Sequence, residues 1–201
     1  MSKGRLYIIS APSGAGKSTL CSMLINKYPA VRYSISYTTR APRGNEINGK
    51  EYFFIDKDTF IKMIDNNDFL EWAEVHDNYY GTSKQQINNA LNEGIDIFLD
   101  IDPQGAMQLK EKLDNIATFI FIAAPSLAEL KSRLENRGTD KADNIALRLE
   151  NAKKEVEYFK KYDYLIINDA SNEAFKQLER IYLAEKLRTN QYNNVNEFMS
   201  I

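Results

Sequence analysis

Tyr7-Ile8-Ile9-Ser10-Ala11-Pro12-Ser13-Gly14-Ala15-Gly16-Lys17-Ser18-Thr19 is the stretch from which the fold is read. The apolar, β-branched run Leu6 to Ile9 predicts a buried strand, the small residues after it a loop, and Leu20, Met23 and Leu24 resume with helical spacing. Strand, loop and helix in that order are the setting of a phosphate-binding loop. Glycines let main-chain N–H groups turn onto phosphate oxygens, and the helix start adds free N–H groups and the positive end of its dipole. Lys17 would carry fixed positive charge, and Ser18 offers a hydroxyl to the Mg²⁺ that rides on nucleotide phosphates. Ala11 stands where the pattern G-x-x-x-x-G-K-[ST] has its first glycine, which the loop tolerates if φ there is negative.

The 201 residues suffice for one well-buried core with an insertion. Lys and Arg total 26 against 28 Asp and Glu, so no basic field exists to hold polymeric nucleic acid. Cys21 is the sole cysteine; it reads as a small buried hydrophobe in a reducing compartment. Neither a signal peptide nor a membrane span is expected at the N-terminus, and the chain is expected to be cytoplasmic.

The first helix should stop near Tyr28-Pro29. From residue 33 to 82 the pattern becomes locally β-rich: Tyr33 to Tyr37, Glu51 to Ile55 and Phe69 to Val75 read as strands, with turn signals at Arg43-Gly44-Asn45 and Asn48-Gly49. Asp56 to Asn66 reads as a helix capped by Asp56 or Asp58, with Phe60, Ile61 and Ile64 inward. Thereafter helix and buried strand alternate, the signature of a parallel sheet covered on both faces. Thr82 or Ser83 caps a helix to Asn92, closed by Gly94; Ile95 to Ile101 is a strand, and Asp102-Pro103 opens the next helix. Ile116 to Ile122 and Tyr164 to Ile167 are further strands. A capping box at Ser126 starts a helix with Leu127, Leu130 and Leu134 on one side, and Ala142 to Lys160 is a longer helix. Ser171 should cap a last helix through Leu187, with Thr189 to Ile201 frayed.

Ser34-Ile35-Ser36-Tyr37-Thr38-Thr39-Arg40-Ala41-Pro42-Arg43 concentrates hydroxyls with two guanidiniums, which suit a phosphate monoester dianion. Glu71 sets a charge among large apolar residues, and Asn78-Tyr79-Tyr80-Gly81-Thr82 gathers phenols beside a glycine. With Asn48-Gly49-Lys50-x-Tyr52, Leu99-Asp100-Ile101-Asp102 and Arg133 to Arg137, these pieces in this order resemble the guanylate kinase family over nearly the whole chain.

That resemblance implies an α/β protein: a three-layer P-loop parallel-sheet core, a small mixed β-rich GMP-binding insert and a helical lid. The divisions expected are 1–32 and 83–201 for the ATP-binding core, 33–82 for the insert and 126–157 for the lid. It implies Mg²⁺-dependent transfer from ATP to GMP, with dGMP a second acceptor, small-molecule partners only, no membrane, and an oligomeric state left open. ATP would be held by Ala11, Pro12, Ser13, Gly14, Ala15, Gly16, Lys17, Ser18, Thr19 and Asn168, with Asp169 nearby. GMP would be held by Arg40, Arg43, Tyr52 and Tyr80 at its phosphate and by Ser36, Glu71, Thr82 and Asp102 at its base. Lys17, Arg40, Arg133, Arg137 and Arg148 would be catalytic, and Ser18 with Asp100, through water, would hold the metal. Gly138-Thr139-Asp140 offers a lid hinge, and His76 is a bystander.

Some roles have competitors. Asp102 could simply cap the next helix, Glu71 could be a surface-strand carboxylate, and Arg133, Arg137 and Arg148 could line solvated helix faces. Another nucleoside monophosphate as acceptor, or a peptide-binding scaffold, are the competing functions.

Overall fold

A computed structural model describes residues 3–75, 77–113, 116–136 and 142–189. Five parallel strands, β1 (Leu6–Ser10), β2 (Val31–Tyr33), β7 (Asp96–Asp100), β8 (Ala117–Ala123) and β9 (Tyr164–Ile167), form one sheet in the order β2-β7-β1-β8-β9. Every residue of β1 and β8 is buried, as strands covered on both faces must be. Tyr7 and Ile9 pack on one face with Leu20 and Leu24 of α1 (Lys17–Lys27) and Leu178 of α7 (Ser171–Glu185). Leu6 and Ile8 point the other way, against Ile87 of α3 (Lys84–Asn92) and Leu109 of α4 (Pro103–Leu113). The period-two alternation of one short strand thus builds both halves of a three-layer core.

Parallel pairing sends every strand's carboxyl end to one edge. Ile9 pairs with Asp100, Ser10 with Phe121 and Ala123 with Ile167, so the glycine loop, Asp100–Asp102 and Asn168 all leave the sheet together. That edge is where open α/β sheets bind ligands. Over it lie α5 (Leu127–Asn136) and α6 (Ala142–Val156).

Four strands, β3 (Tyr37–Thr38), β4 (Phe53–Phe54), β5 (Phe69–Val75) and β6 (Asn78–Ser83), make a second, mixed sheet in the order β4-β3-β6-β5. Phe60 of α2 (Lys57–Asp65) is fully buried, stacked on Phe69 at 4.4 Å and Tyr79 at 5.4 Å.

Several expected boundaries are corrected. The stretch Tyr33 to Tyr37 is two strands in two sheets: Tyr33 pairs with Phe98 in the core, Tyr37 with Phe53 and Gly81 in the small sheet. Local pairing fails for β3 and β4, which run parallel and so cannot be joined by a tight turn. Asn78 to Ser83, read as turn and helix start, is a strand. Its glycine is a packing requirement, since a Cβ on Gly81 would lie 2.9 Å from the Phe69 ring. Thr82 therefore belongs to the strand, and Ser83 alone caps α3, accepting from Gln86 N. Ile61, 38% exposed, faces away from Phe60, and Leu127 is 43% exposed. The helix from Ala142 turns 3₁₀ at Glu157–Lys161, Ser171 is the first helical residue with no capping bond, and α7 ends at Glu185.

At the sheet's amino edge, Glu185 and Asp96 tie α7 to the core. Arg5 Nη2, Thr118 Oγ1 and Tyr164 OH donate to Glu185 at 3.1, 2.8 and 2.7 Å. Arg5 N, Tyr182 OH and Lys186 Nζ donate to Asp96 at 2.7, 2.9 and 2.8 Å. Burial pushes the Glu185 carboxyl up, but the Tyr164 and Thr118 hydroxyls, with Arg188 and Arg5, hold it below the ordinary carboxylate range. Its stabilisation is therefore complete above the unfolded pKa of about 4.3 and is lost as pH falls through the lower folded value. Glu185→Ala is expected to cost about 3–5 kcal/mol in urea unfolding at pH 7, because it strips a buried guanidinium of its carboxylate, and much less near pH 2.

Candidate active site

The loop after β1 turns at Gly14 (φ +94°) and Gly16 (φ +91°), conformations that favour glycine. Among the described residues only Asn67 and Asp77 are non-glycine with positive φ, so Ala11 meets the condition its methyl imposes. Lys17, in the first turn of α1, donates to Asp100 at the end of β7. Ser18 and Thr19 are exposed beside it, and Ala15 is fully buried. The expected nucleotide contact Asn168 has a more specific role: its main-chain N–H donates to Ala123 O, and its Nδ2 donates to Ala15 O at 2.8 Å. Its Oδ1 is buried with no partner.

Two expected arginines converge on this loop. Arg148 Nη1, from α6, donates to Ser13 Oγ at 2.8 Å. Arg133 Nε, from α5, donates to Glu129 Oε1 at 2.7 Å and its Nη2 to Asp169 O at 3.2 Å. Arg133, Asn168 and Asp169 line a cavity of about 470 Å³ with Gly14, Gly16 and Thr19. Arg137, Gly138-Thr139-Asp140, His76 and residues 190–201 lie outside the described residues.

A second cavity, about 430 Å³, lies between the two sheets and gathers Ser36, Tyr52, Glu71, Tyr80, Asp100 and Asp102. Fully buried Thr82 sits behind it and donates to Glu71 Oε1 at 2.6 Å, with Ser36 Oγ 3.5 Å from Thr82 Oγ1. Burial raises the Glu71 carboxyl above the ordinary range; Thr82 opposes the shift and Asp102 adds to it. Asp102 lines the cavity, and its Oδ1 accepts from Gly105 N at 2.9 Å as the cap of α4, the competing role the sequence allowed.

Arg40, 8% exposed, lies over the Tyr52 ring at 5.3 Å, while the Arg43 side chain is exposed. Two carboxylates here were missed from sequence. Glu46 accepts from both ends of the Arg40 fork and from Arg43 N at 2.7 Å; its only signal was an acid in the turn after the arginines. Glu155, half-buried on α6, is raised by burial and by Asp102, with Lys17 opposing. Nothing in a helical repeat of charges distinguishes it.

Among the described residues no three or more His, Cys, Asp or Glu are grouped to hold a metal ion. A Mg²⁺ carried on nucleotide phosphates needs no such cage, since it keeps most of its waters and takes one or two protein oxygens. Ser18 and Asp100 are a donor set of that kind.

The family model described as guanylate kinase matches residues 3–185. The guanylate kinase of Geobacter metallireducens is 49% identical over 187 residues, 93% of this chain and 92% of that protein. The guanylate kinase of Geobacter sulfurreducens is 48% identical over the same length, with the same coverage. A crystal structure of guanylate kinase from Anaplasma phagocytophilum superposes with a TM-score of 0.74 at 30% identity, covering 98% of this chain and 94% of that one.

The loop's two kinds of constraint can be separated by mutation. A Cβ on Gly16 would lie 2.2 Å from Asn168 Nδ2, whereas one on Gly44 (φ +54°) meets nothing within 4 Å. Gly44→Ala should cost about 1–2 kcal/mol in urea unfolding from backbone strain alone. Gly16→Ala should cost more, because the Asn168 amide has also to move.

Proposed function

The chain belongs to the guanylate kinase family and catalyses ATP-dependent phosphorylation of GMP to GDP; from that premise we propose which of its residues do so, and how. We assign the ATP phosphates to the loop Ala11 to Thr19, the adenine end to the cavity at Asn168 and Asp169, and GMP to the cavity between the sheets. The observation that carries the assignment is the ion pair of Lys17 with Asp100: Lys17 belongs to the glycine loop, and Asp100 lines the other cavity. A phosphoryl group passing between two nucleotides so placed crosses at that pair.

In this reading Arg40, Arg43, Tyr52 and Tyr80 grip the GMP phosphate. Glu71, oriented by Thr82, accepts from the N1–H and N2–H₂ donors that guanine shows on one edge. Adenine shows a lone pair at N1, so a partly buried carboxylate facing it is left unpaired; sites of this kind discriminate by ~10⁴-fold. The acceptor oxygen attacks the γ-phosphoryl in line, and little covalent work is left to the protein. Lys17, Arg133 and Arg148 neutralise charge that spreads over the transferred group, with Arg137 assigned the same role from sequence. Ser18 and, through water, Asp100 would hold Mg²⁺, which supplies charge neutralisation at the phosphates when bound. No residue is called on to form a covalent intermediate.

Residues 33–82 act as the GMP-binding insert and 126–157 as a lid that excludes water, on a core of 1–32 and 83–201. The reading extends to dGMP, because none of the contacts assigned above is made to the ribose 2′-hydroxyl. Among the described residues no helix is long and apolar enough to cross a membrane. The ATP and GMP pools support a cytoplasmic location.

In a coupled ADP assay, GMP-dependent ADP release should require Mg²⁺ and fall about 10²–10³-fold in kcat for Lys17→Ala. Rapid AMP turnover in an acceptor panel would defeat the role given to Glu71. Guanine recognition needs the ionised carboxylate, whose pKa is raised. KM for GMP should therefore begin to climb at a higher pH on acidification than an exposed glutamate would dictate, and Glu71→Gln should remove that dependence.

A further inference from the structure

Arg40 is a buried cation whose donors are unevenly spent. Its Nη1 donates to Ala41 O at 2.8 Å and to Glu46 Oε2 at 2.9 Å, and its Nη2 donates to Glu46 Oε1 at 3.0 Å. The end of the fork is thus closed by a bidentate carboxylate and a carbonyl, contacts that use Nη1 and Nη2 and do not involve Nε. Tyr80 acts on the same guanidinium, and Tyr52 lies under it at 5.3 Å. Both phenols line the cavity assigned to GMP. Glu46 also accepts from Arg43 N at 2.7 Å, so one carboxylate holds the side chain of the first arginine and the backbone of the second.

We infer that Glu46 is a positioning residue for the acceptor phosphate: it braces Arg40 by the end of its fork, leaves Nε to the phosphate, and fixes the turn that presents Arg43. The inference rests on the GMP assignment above. A carboxylate so near a dianion would by itself repel it, and that repulsion defines the opposite case. If Glu46 merely fills the phosphate's place until GMP displaces it, removing its charge tightens binding. If it is a brace, removing its charge loosens binding, because a long side chain with many rotamers no longer waits in one orientation. Arg40, only 8% exposed and stacked on Tyr52, has little freedom to swing out and exchange partners, which favours the brace.

The test compares Glu46→Gln and Glu46→Ala with the unaltered chain for GMP, guanosine and ATP binding by titration calorimetry, and for steady-state KM and kcat. The expected result is a rise of about 10- to 100-fold in Kd and KM for GMP, the loss typical of small misplacement of a binding group. Guanosine and ATP affinities should stay within twofold and kcat at saturating GMP should change far less than KM. A general loss of packing would move all of these together. Unchanged or tighter GMP binding overturns the inference, as does an equal loss for guanosine or ATP. Arg40→Ala separates the two levels: if it too leaves GMP binding unchanged, the assignment of the phosphate site fails, and if it weakens GMP while Glu46→Gln does not, only the brace fails.

Discussion

A tight loop outside the sheet ladder must find partners for its carbonyls elsewhere, and here the partner of Ala15 O is the Asn168 amide, 2.8 Å away. Asn168 stands just past β9, two places across the sheet from β1. The loop's shape is therefore held by a strand more than 150 residues later in the chain. The same contact explains why Gly16 has no room for a side chain. Main-chain amides aimed at phosphate are useful only if they are already in place, since reorganisation at the moment of reaction would cost part of what they stabilise. Everything else at the carboxyl edge is arranged about this pinned loop.

The cations of the site share a second constraint. Lys17 holds Asp100, Arg40 holds Glu46, and Arg133 holds Glu129. Isolated charges at a poorly solvated edge are costly, and pairing each with a carboxylate reduces that cost. The pairs nevertheless differ in kind. Asp100 lines the cavity between the sheets, with its side chain 44% exposed, so its carboxylate can be shared with other cations. Glu46 grips both ends of the Arg40 fork, and its own side chain is 23% exposed.

In the small sheet, aromatic packing sets the register of the residues assigned to the base. Phe60 stacks between Phe69 and Tyr79, and the Phe60 and Phe69 rings leave no space at Gly81 for even a methyl group. That close approach seats β6 against β5, with Glu71 registered opposite Thr82. The placing of Glu71 beside Thr82, on which the proposed base selectivity rests, and the ring stacking are thus one piece of construction. Exposed Glu71 would be an ordinary carboxylate; burial is what raises its pKa and makes an unpaired acceptor expensive.

The sequence by itself determined the alternation of buried strands and amphipathic helices, the glycine loop, and most of the charged and hydroxyl residues the two cavities use. Those features live in short-range pattern: β-branched runs, capping residues and glycine spacing are set within a few positions of one another. What only the tertiary structure decided were pairings between distant residues. Tyr33 and Tyr37 look like one strand because nothing local says that the chain changes sheets between them. Glu46 looks like a turn residue until the loop folds back to set it against Arg40, Glu155 looks like a helix-face charge, and the tie from Asn168 to Ala15 O exists only because sheet order brings β9 near β1. Strand order, and hence which carboxylate meets which cation, is a property of how the faces pack, and one-dimensional periodicity carries no information about that.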